Sequence, residues 1–560
     1  MTLEGELARF SRGWRGPAMA ALIAFVAGLP GMLAVPPLDR DESRFAQASA
    51  QMLETRDFVV INYQDQPRFK KPVGIHWLQA ASVSLFSSPE ARQIWAYRIP
   101  SLLGAMLAAA ACAWGASAFF GGPAGLLAGA MLGTTFLLST EALIAKTDAV
   151  LCGTTTLAIA ALARIYAAAS TDLWIGRSTW LVFWLALAVA TLVKGPIAPL
   201  VVVLTLAALL TFDRRLGWLK DLHSIWGLIV FAAVVGPWAG AVTVATDGTF
   251  WTTALAGDLA PKLAGGQETH GAPPGYHTLL APLLMFPMTL LLPAAAVVAW
   301  RRRREPGVRF ALAWLLPAWL LFEAMPTKLV HYPLPLYGAV AWLAAAALAA
   351  PLGARVRWSG AALAALVGVL LAAGAFYLLS LYGDPSDVAA ATITALLLAA
   401  AGLVGGYLIV RRAALGALVT ALGLGLAGHA ALAAGLAPRL EPLWLSDRTE
   451  RAMADARLLP RQGIAEAPIA VAGYAEPSLV FALGTSTELE GAGEAARAIY
   501  EHRPAIVEAR EEPAFHQALA VYGVRAYVVA TVQGLDYSNG DAITLRVYQA
   551  TGARVKGPGR

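Results

Sequence analysis

The sequence predicts a mainly α, polytopic membrane helical bundle of about thirteen transmembrane helices, followed by a small C-terminal α/β domain. Three observations predict it. Of the 560 residues, 58% are hydrophobic and 14% charged, whereas a soluble domain carries about 25% charged residues. Apolar runs close to the length that crosses a bilayer recur throughout residues 1–438. Residues 439–560 then return to the charge density of a soluble domain.

The apolar runs lie near 18–36, 96–118, 121–139, 148–168, 177–193, 195–212, 223–243, 278–300, 308–325, 332–350, 358–382, 387–411 and 413–437. The first follows Arg9, Arg12 and Arg15 and has no convincing small-residue cleavage site, so it reads as a signal anchor. Basic clusters set the orientation. Arg214, Arg215 and Lys220 follow the sixth run, Arg301 to Arg304 the eighth, Arg355 and Arg357 the tenth, and Arg411 and Arg412 the twelfth. With the N-terminus inside, every cluster falls in the cytoplasm. The C-terminal domain and two loops, 37–95 and 244–277, then lie outside, on the periplasmic face of a bacterial inner membrane. In the first loop Ile75, Trp77, Leu78, Leu85 and Phe86 suit a helix lying in the interface among membrane lipids.

The C-terminal stretch alternates strand-like runs (469–471, 506–507, 527–532, 543–547) with helical ones (477–483, 493–502, 513–522), the pattern of a small α/β domain. Cys112 and Cys152 sit in apolar runs, which excludes a disulfide framework and a Cys-based metal site. The net charge of +6 reflects cytoplasmic Lys and Arg, and no nucleic-acid partner is expected. No Gly-rich nucleotide loop is present, which argues against ATP or a nucleotide sugar as direct substrate.

The densest polar cluster is Asp39-Arg40-Asp41-Glu42-Ser43-Arg44-Phe45, directly after the first run. A solvated loop of mixed charge is one reading. The other is a general base at the bilayer edge, poised by neighbouring arginines. Lys70 and Lys71 beside the interfacial helix could grip a phosphate or only lipid headgroups. Lys146 with Asp148, Lys194, and Lys328 with His331 lie at span ends on the same face. Ionisable residues near spans are functional candidates by default, with snorkelling as the competing account of any single lysine. His76, His270 and His277 are also on the outer side, where lone histidines are more often interfacial polar groups than ligands. No cofactor is therefore expected, and a bound divalent metal is the weaker alternative.

Asp41-Glu42-Ser43-Arg44-Phe45-Ala46, then Gln51 to Thr55 and Lys71-Pro72, resembles the first-loop signature of the protein O-mannosyltransferase and aminoarabinose transferase superfamily, the polyprenyl-phosphate-dependent glycosyltransferases of the GT-C fold. Lys328 to Pro335, Lys194-Gly195-Pro196 and Thr147-Asp148 are similar to later motifs of that family. The resemblance implies a catalytic carboxylate at Asp41 with Glu42 beside it, a second essential acid at Asp148, and an Arg44–Phe45 pair lining the donor site. It also implies a phosphate-binding Lys71 and a tyrosine, Tyr332, near the phosphate; Lys70, Lys194, Lys328 and His331 complete the expected substrate contacts. The implied reaction is inverting transfer of a sugar from a polyprenyl-phosphate donor to a lipid A-like glycolipid, a glycan or a protein. Lys70 departs from the pattern, since aminoarabinose transferases carry Glu there, and this argues against a cationic amino sugar as donor. A transporter or lipid flippase is the alternative. It predicts ionisable groups at mid-span, where this sequence has nearly none.

Overall fold

In lipid every backbone polar group must be satisfied internally, and helices do this within one segment. The computed structural model describes residues 3–169, 176, 178–213, 217–259, 271–462, 468–536 and 539–551, and these are mostly helical. The N-terminal part runs α1 (Leu3–Phe10), α2 (Arg15–Ala34), α3 (Asp41–Thr55), α4 (Gly74–Phe86), α5 (Ile94–Gly133), α6 (Phe136–Glu141), α7 (Asp148–Ala168), α8 (Thr179–Lys194), α9 (Ile197–Asp213) and α10 (Ser224–Ala245). Arg214, Arg215, His270 and part of the expected loop 244–277 lie outside the described residues.

Among the described residues eight helices are long and apolar enough to cross a membrane, or nine if one bent pair counts as a single span. The chain is a multi-pass membrane protein. The expected count of thirteen is not reproduced, because several apolar runs fold into shorter or broken helices. The helices Thr179–Lys194, Ile197–Phe212 and Leu334–Ala347 are apolar but short. The run at 278–300 is bent by 114° between Tyr276–Leu284 and Met288–Arg301. The run at 121–139 begins at a kink in α5, where Gly121 adopts φ 83°, and is cut again before α6. Hydropathy averages over such breaks and does not register them.

Small residues let the helices of the bundle approach closely. A side chain on Gly153 of α7 would meet the carbonyl oxygen of Gly104 on α5 at 2.3 Å. The first loop is structured throughout. It comprises α3, a two-residue antiparallel hairpin of β1 (Asn62–Tyr63) and β2 (Gln66–Pro67), and α4. On α4, Ile75 is buried while Trp77, Leu78, Leu85 and Phe86 are exposed, an apolar outer surface suited to lipid.

The C-terminal part begins with a helix at Leu445–Asp455 and contains β3 (Ala470–Ala472), β4 (Glu488–Glu490), β5 (Ala505–Glu508), β6 (Ala526–Asp536) and β7 (Asp541–Ala550), in sheet order β4-β3-β5-β7-β6. β3 pairs parallel with β4 and β5, and β7 pairs antiparallel with β5 and β6. Helices Pro477–Leu483, Ala492–Tyr500 and Glu512–Tyr522 connect the strands. Alternation along β7 sends Leu545 and Val547 into one apolar layer and Tyr548 and Ala550 into the other. The sequence does not announce β4, a short charged edge strand of Glu488, Leu489 and Glu490.

This domain docks on the first loop. Gln64 Nε2 donates to the carbonyls of Thr485 (3.3 Å) and Thr487 (2.6 Å), and Gln47 Nε2 donates to Thr485 Oγ1 at 2.6 Å. Arg92 donates to Glu54 (2.5 Å) and Thr485 (3.3 Å). Phe481 meets Tyr97 edge-on with centroids 5.3 Å apart.

Candidate active site

Two helix ends supply opposite charges. α7 begins with Asp148 and α8 finishes with Lys194, each the sign its helix terminus favours. Gly195 leaves α8 at φ 62°, a left-handed value suited to glycine, and separates it from α9. Lys194 Nζ lies 2.5 Å from Asp148 Oδ1. Lys146 Nζ is 3.0 Å from Glu141 Oε1 and 3.8 Å from Asp148 Oδ2. His331 stands between the acids, its Nε2 3.6 Å from Asp148 Oδ1 and its Nδ1 3.8 Å from Glu141 Oε1. Lys194 also lies over the Tyr332 ring, 6.0 Å from its centroid. Charges removed from water need partners, and two acids and two lysines here compensate one another.

Beside this cluster opens a cavity of about 170 Å³. Its polar end is formed by Lys70, Lys71, Asp148, Lys194, His331 and Tyr332. Its other wall is apolar, with Phe250, Trp251, Leu255, Phe322 and Met325. The combination suits an amphiphile with an anionic head, since ammonium groups make strong charge-assisted hydrogen bonds to phosphate.

The structure redistributes the remaining expected residues. Asp41 is exposed on the first turn of α3 and does not line the cavity. Arg44 is half-buried and acts on Tyr63, whose phenol is pushed up by burial. Phe45 is the second member of the expected donor-lining pair. It is 5% exposed, packed 5.5 Å from the His76 ring and beneath Arg68 at 5.1 Å. Neighbouring residues on a helix point about 100° apart, so Arg44 and Phe45 do not share a surface.

Glu42 is the acid expected beside Asp41. It is 1% exposed, and both of its oxygens are engaged. Arg98 Nε and Nη2 donate to Oε1 and Oε2 at 2.8 Å each, Leu38 N–H donates to Oε2 at 2.8 Å, and Ala145 N–H to Oε1 at 2.6 Å. Lys328 is 4% exposed and donates to the carbonyls of Ala272 (2.9 Å) and Met325 (2.5 Å), so it ties down the 271–273 segment and does not line the cavity.

Glu141 and Arg98 were not expected in these roles. Arg98 also donates to the carbonyls of Met32, Val35 and Pro36, closing the end of α2. An arginine just inside an apolar run was the available signal for it. Glu141 stands at the end of an apolar run in the same way. Among the described residues no three His, Cys, Asp or Glu side chains are grouped to hold a metal ion. His76 is buried with Nδ1 2.9 Å from Ser49 Oγ, and burial, with Arg68 adding, pulls it down to about 3.

A family model described as dolichyl-phosphate-mannose-protein mannosyltransferase matches residues 70–240. That stretch carries Lys70, Lys71, Asp148 and Lys194. The undecaprenyl phosphate-alpha-4-amino-4-deoxy-L-arabinose arabinosyl transferase 1 of Pseudomonas fluorescens is 28% identical over 297 residues, 53% of this chain and 52% of that protein. A transferase of the same description from Edwardsiella ictaluri is 26% identical over 346 residues, 60% of this chain and 59% of that protein. The chain thus spans only about half the length of the curated relatives it matches. ArnT from Cupriavidus metallidurans bound to undecaprenyl phosphate shares the fold over 100% of both chains, with a TM-score of 0.75 at 20% identity. Its apo state has a TM-score of 0.72 over 97% of this chain. The chain thus matches the mannosyltransferase family model over under a third of its length, is similar to aminoarabinose transferases over about half of it, and has the fold of ArnT.

Proposed function

We propose that this protein is an inverting glycosyltransferase. It moves a sugar from a polyprenyl-phosphate donor to an envelope acceptor, a lipid A-like glycolipid, a glycan or a protein, at the periplasmic face of the inner membrane. The observation that carries the reading is the cavity, which joins an apolar wall at Phe250, Trp251 and Phe322 to a cationic end at Lys70, Lys71 and Lys194. The lipid tail follows the apolar wall and the phosphate meets the lysines. The names of the relatives, which act on undecaprenyl-phosphate-linked aminoarabinose, support the donor class.

The acceptor hydroxyl attacks the anomeric carbon from the face opposite the phosphate, so a single displacement inverts that carbon. Asp41 takes the hydroxyl proton. The bond from the anomeric carbon to the phosphate oxygen breaks, and Lys71 and Lys194 stabilise the charge left on polyprenyl phosphate. Asp148 orients Lys194, and Tyr332 and His331 complete that wall. The lysines supply the positive charge that a bound cation would otherwise contribute, so the reaction is proposed to need no cofactor. Residues 1–438 form the transferase domain and 439–560 a periplasmic domain, with the N-terminus in the cytoplasm.

The test is transfer from undecaprenyl phosphate carrying a neutral hexose, a uronic acid or aminoarabinose, with lipid A as acceptor, read as release of undecaprenyl phosphate. Asp41→Asn is expected to lose on the order of 10²–10⁴ in turnover while still binding donor. Near-normal turnover in that variant removes Asp41 from the mechanism.

A further inference from the structure

Asp41 stands between two anchored neighbours. On its C-terminal side Glu42 is locked to Arg98 and to the backbone of Leu38 and Ala145. On its N-terminal side Asp39 reaches out of the membrane region into the α/β domain. Asp39 Oδ1 accepts the Ser478 N–H at 2.9 Å and Oδ2 accepts the Ser478 hydroxyl at 2.7 Å. Ser478 is held in turn, its Oγ 2.5 Å from that of Ser446, which lies 3.2 Å from the Tyr474 hydroxyl.

The residue between Asp39 and Asp41 has an unusual backbone. Arg40 adopts φ 59° and ψ −97°, outside the regions that L side chains ordinarily occupy. Such a conformation persists only where the surroundings over-determine it. Here they do: Asp39 Oδ1 also accepts the Arg40 N–H at 2.9 Å, and Ser43 Oγ donates to the Leu38 carbonyl at 2.5 Å. Docking alone does not require this arrangement. Thr485 and Thr487 already join the domain to Gln47, Gln64 and Arg92, and Phe481 packs on Tyr97. The Ser478–Asp39 contact differs from that patch in position, being the one two residues from Asp41.

We propose that Ser478 is a positioning residue for Asp41, acting through Asp39 and the strained Arg40, so that the C-terminal domain is part of the transfer apparatus. The proposal rests on the reading of Asp41 as the base. A base must be held within a fraction of an ångström of its productive place, and misplacement by about 1 Å can cost on the order of 10²-fold.

The experiment uses the full-length protein in lipid nanodiscs with the donor series above. Ser478→Ala keeps the backbone N–H and removes the hydroxyl contact, and Asp39→Ala removes both contacts. Both are expected to lower kcat, Asp39→Ala by on the order of ten- to a hundredfold and Ser478→Ala by less, with donor KM within about twofold. Ser478→Thr, which keeps the hydroxyl, is expected to restore most of the rate. Thr485→Ala, on the docking patch, should leave kcat within about twofold even if it lowers Tm as much as Ser478→Ala does. Wild-type kcat in both Ser478→Ala and Asp39→Ala overturns the proposal, and so does a loss of kcat that merely follows Tm across all the variants, Thr485→Ala included. Asp41→Asn is measured in parallel. If it is inactive while Asp39→Ala is normal, only the positioning role falls; if it is active, the base assignment falls and the proposal with it.

Discussion

The ammonium of Lys194, the last residue of α8, lies 2.5 Å from the carboxylate of Asp148, the first residue of α7. The pair closes the polar end of the cavity, where one partner would meet a phosphate and the other would hold it in place.

Removing one member of a largely buried ion pair leaves an uncompensated charge and costs about 3–5 kcal/mol, whereas removing both costs far less. Lys194→Ala is therefore expected to lower both thermal stability and turnover. The double variant Lys194→Ala with Asp148→Ala should recover stability but not turnover. Melting curves and transfer rates on the two variants separate the effects. Equal stability in both would mean that the pair is not coupled.

Glu42 and Arg98 form a further pair, bidentate, with both side chains fully buried. Glu42→Gln is expected to destabilise the fold by about 3–5 kcal/mol, because Arg98 loses its counter-charge. Arg98→Lys should not substitute, since an ammonium cannot make the two parallel bonds of a guanidinium. The measurement is the unfolding midpoint in detergent. A fully stable Glu42→Gln protein that has lost turnover would return Glu42 to the chemistry.

Lys70 and Lys71 both line the cavity. Lys71→Ala is expected to weaken use of every donor, as loss of a charge-assisted phosphate contact should. Lys70→Ala should change mainly which sugar is accepted. Near neutral pH the amine of aminoarabinose is cationic, and Lys70 opposes it with a like charge. Neutral or acidic sugars are thus expected to be preferred, and Lys70→Glu should move preference toward the amino sugar. Equal effects of the two alanine substitutions across the series, or wild-type preference for aminoarabinose, would contradict this division of roles.

Turnover is expected to survive exhaustive chelation, because in the proposed mechanism Lys71 and Lys194, which line the cavity, stabilise the leaving phosphate. The check is the transfer rate after dialysis against EDTA, with and without added Mg²⁺ or Mn²⁺. A rate that collapses and returns with one cation would refute lysine-only stabilisation.

Asp39, Gln47, Gln64 and Arg92 of the first loop all contact the C-terminal domain, which places these two parts on the same side of the bundle. A reporter fused after Arg560 and an accessible cysteine placed at Asp65, in the exposed hairpin, are expected to report the periplasm together. A cytoplasmic signal from both would invert the proposed topology while leaving the shared face intact.

The charge segregation of this chain was readable from the sequence. It marked a multi-pass membrane protein, a soluble-type C-terminal stretch, and charged motifs at the ends of apolar runs, because solvation by lipid or water acts on composition residue by residue. The strands at β3, β5, β6 and β7 were readable for the same reason, through runs of apolar and β-branched residues. The breaks within spans, the strand β4 and the contacts of Phe45, Glu42 and Lys328 were not. Hydropathy has no term for a helix bend, and a motif does not say which side of its helix faces a cavity. Only the tertiary structure brought Glu141, Lys146, Asp148, Lys194 and His331 into one cluster from three stretches of chain, and only it joined Asp39 to Ser478 across 439 positions of chain. Those pairings arise because buried charges must find partners wherever packing brings them, and the distance that decides a partner is measured through space, not along the chain.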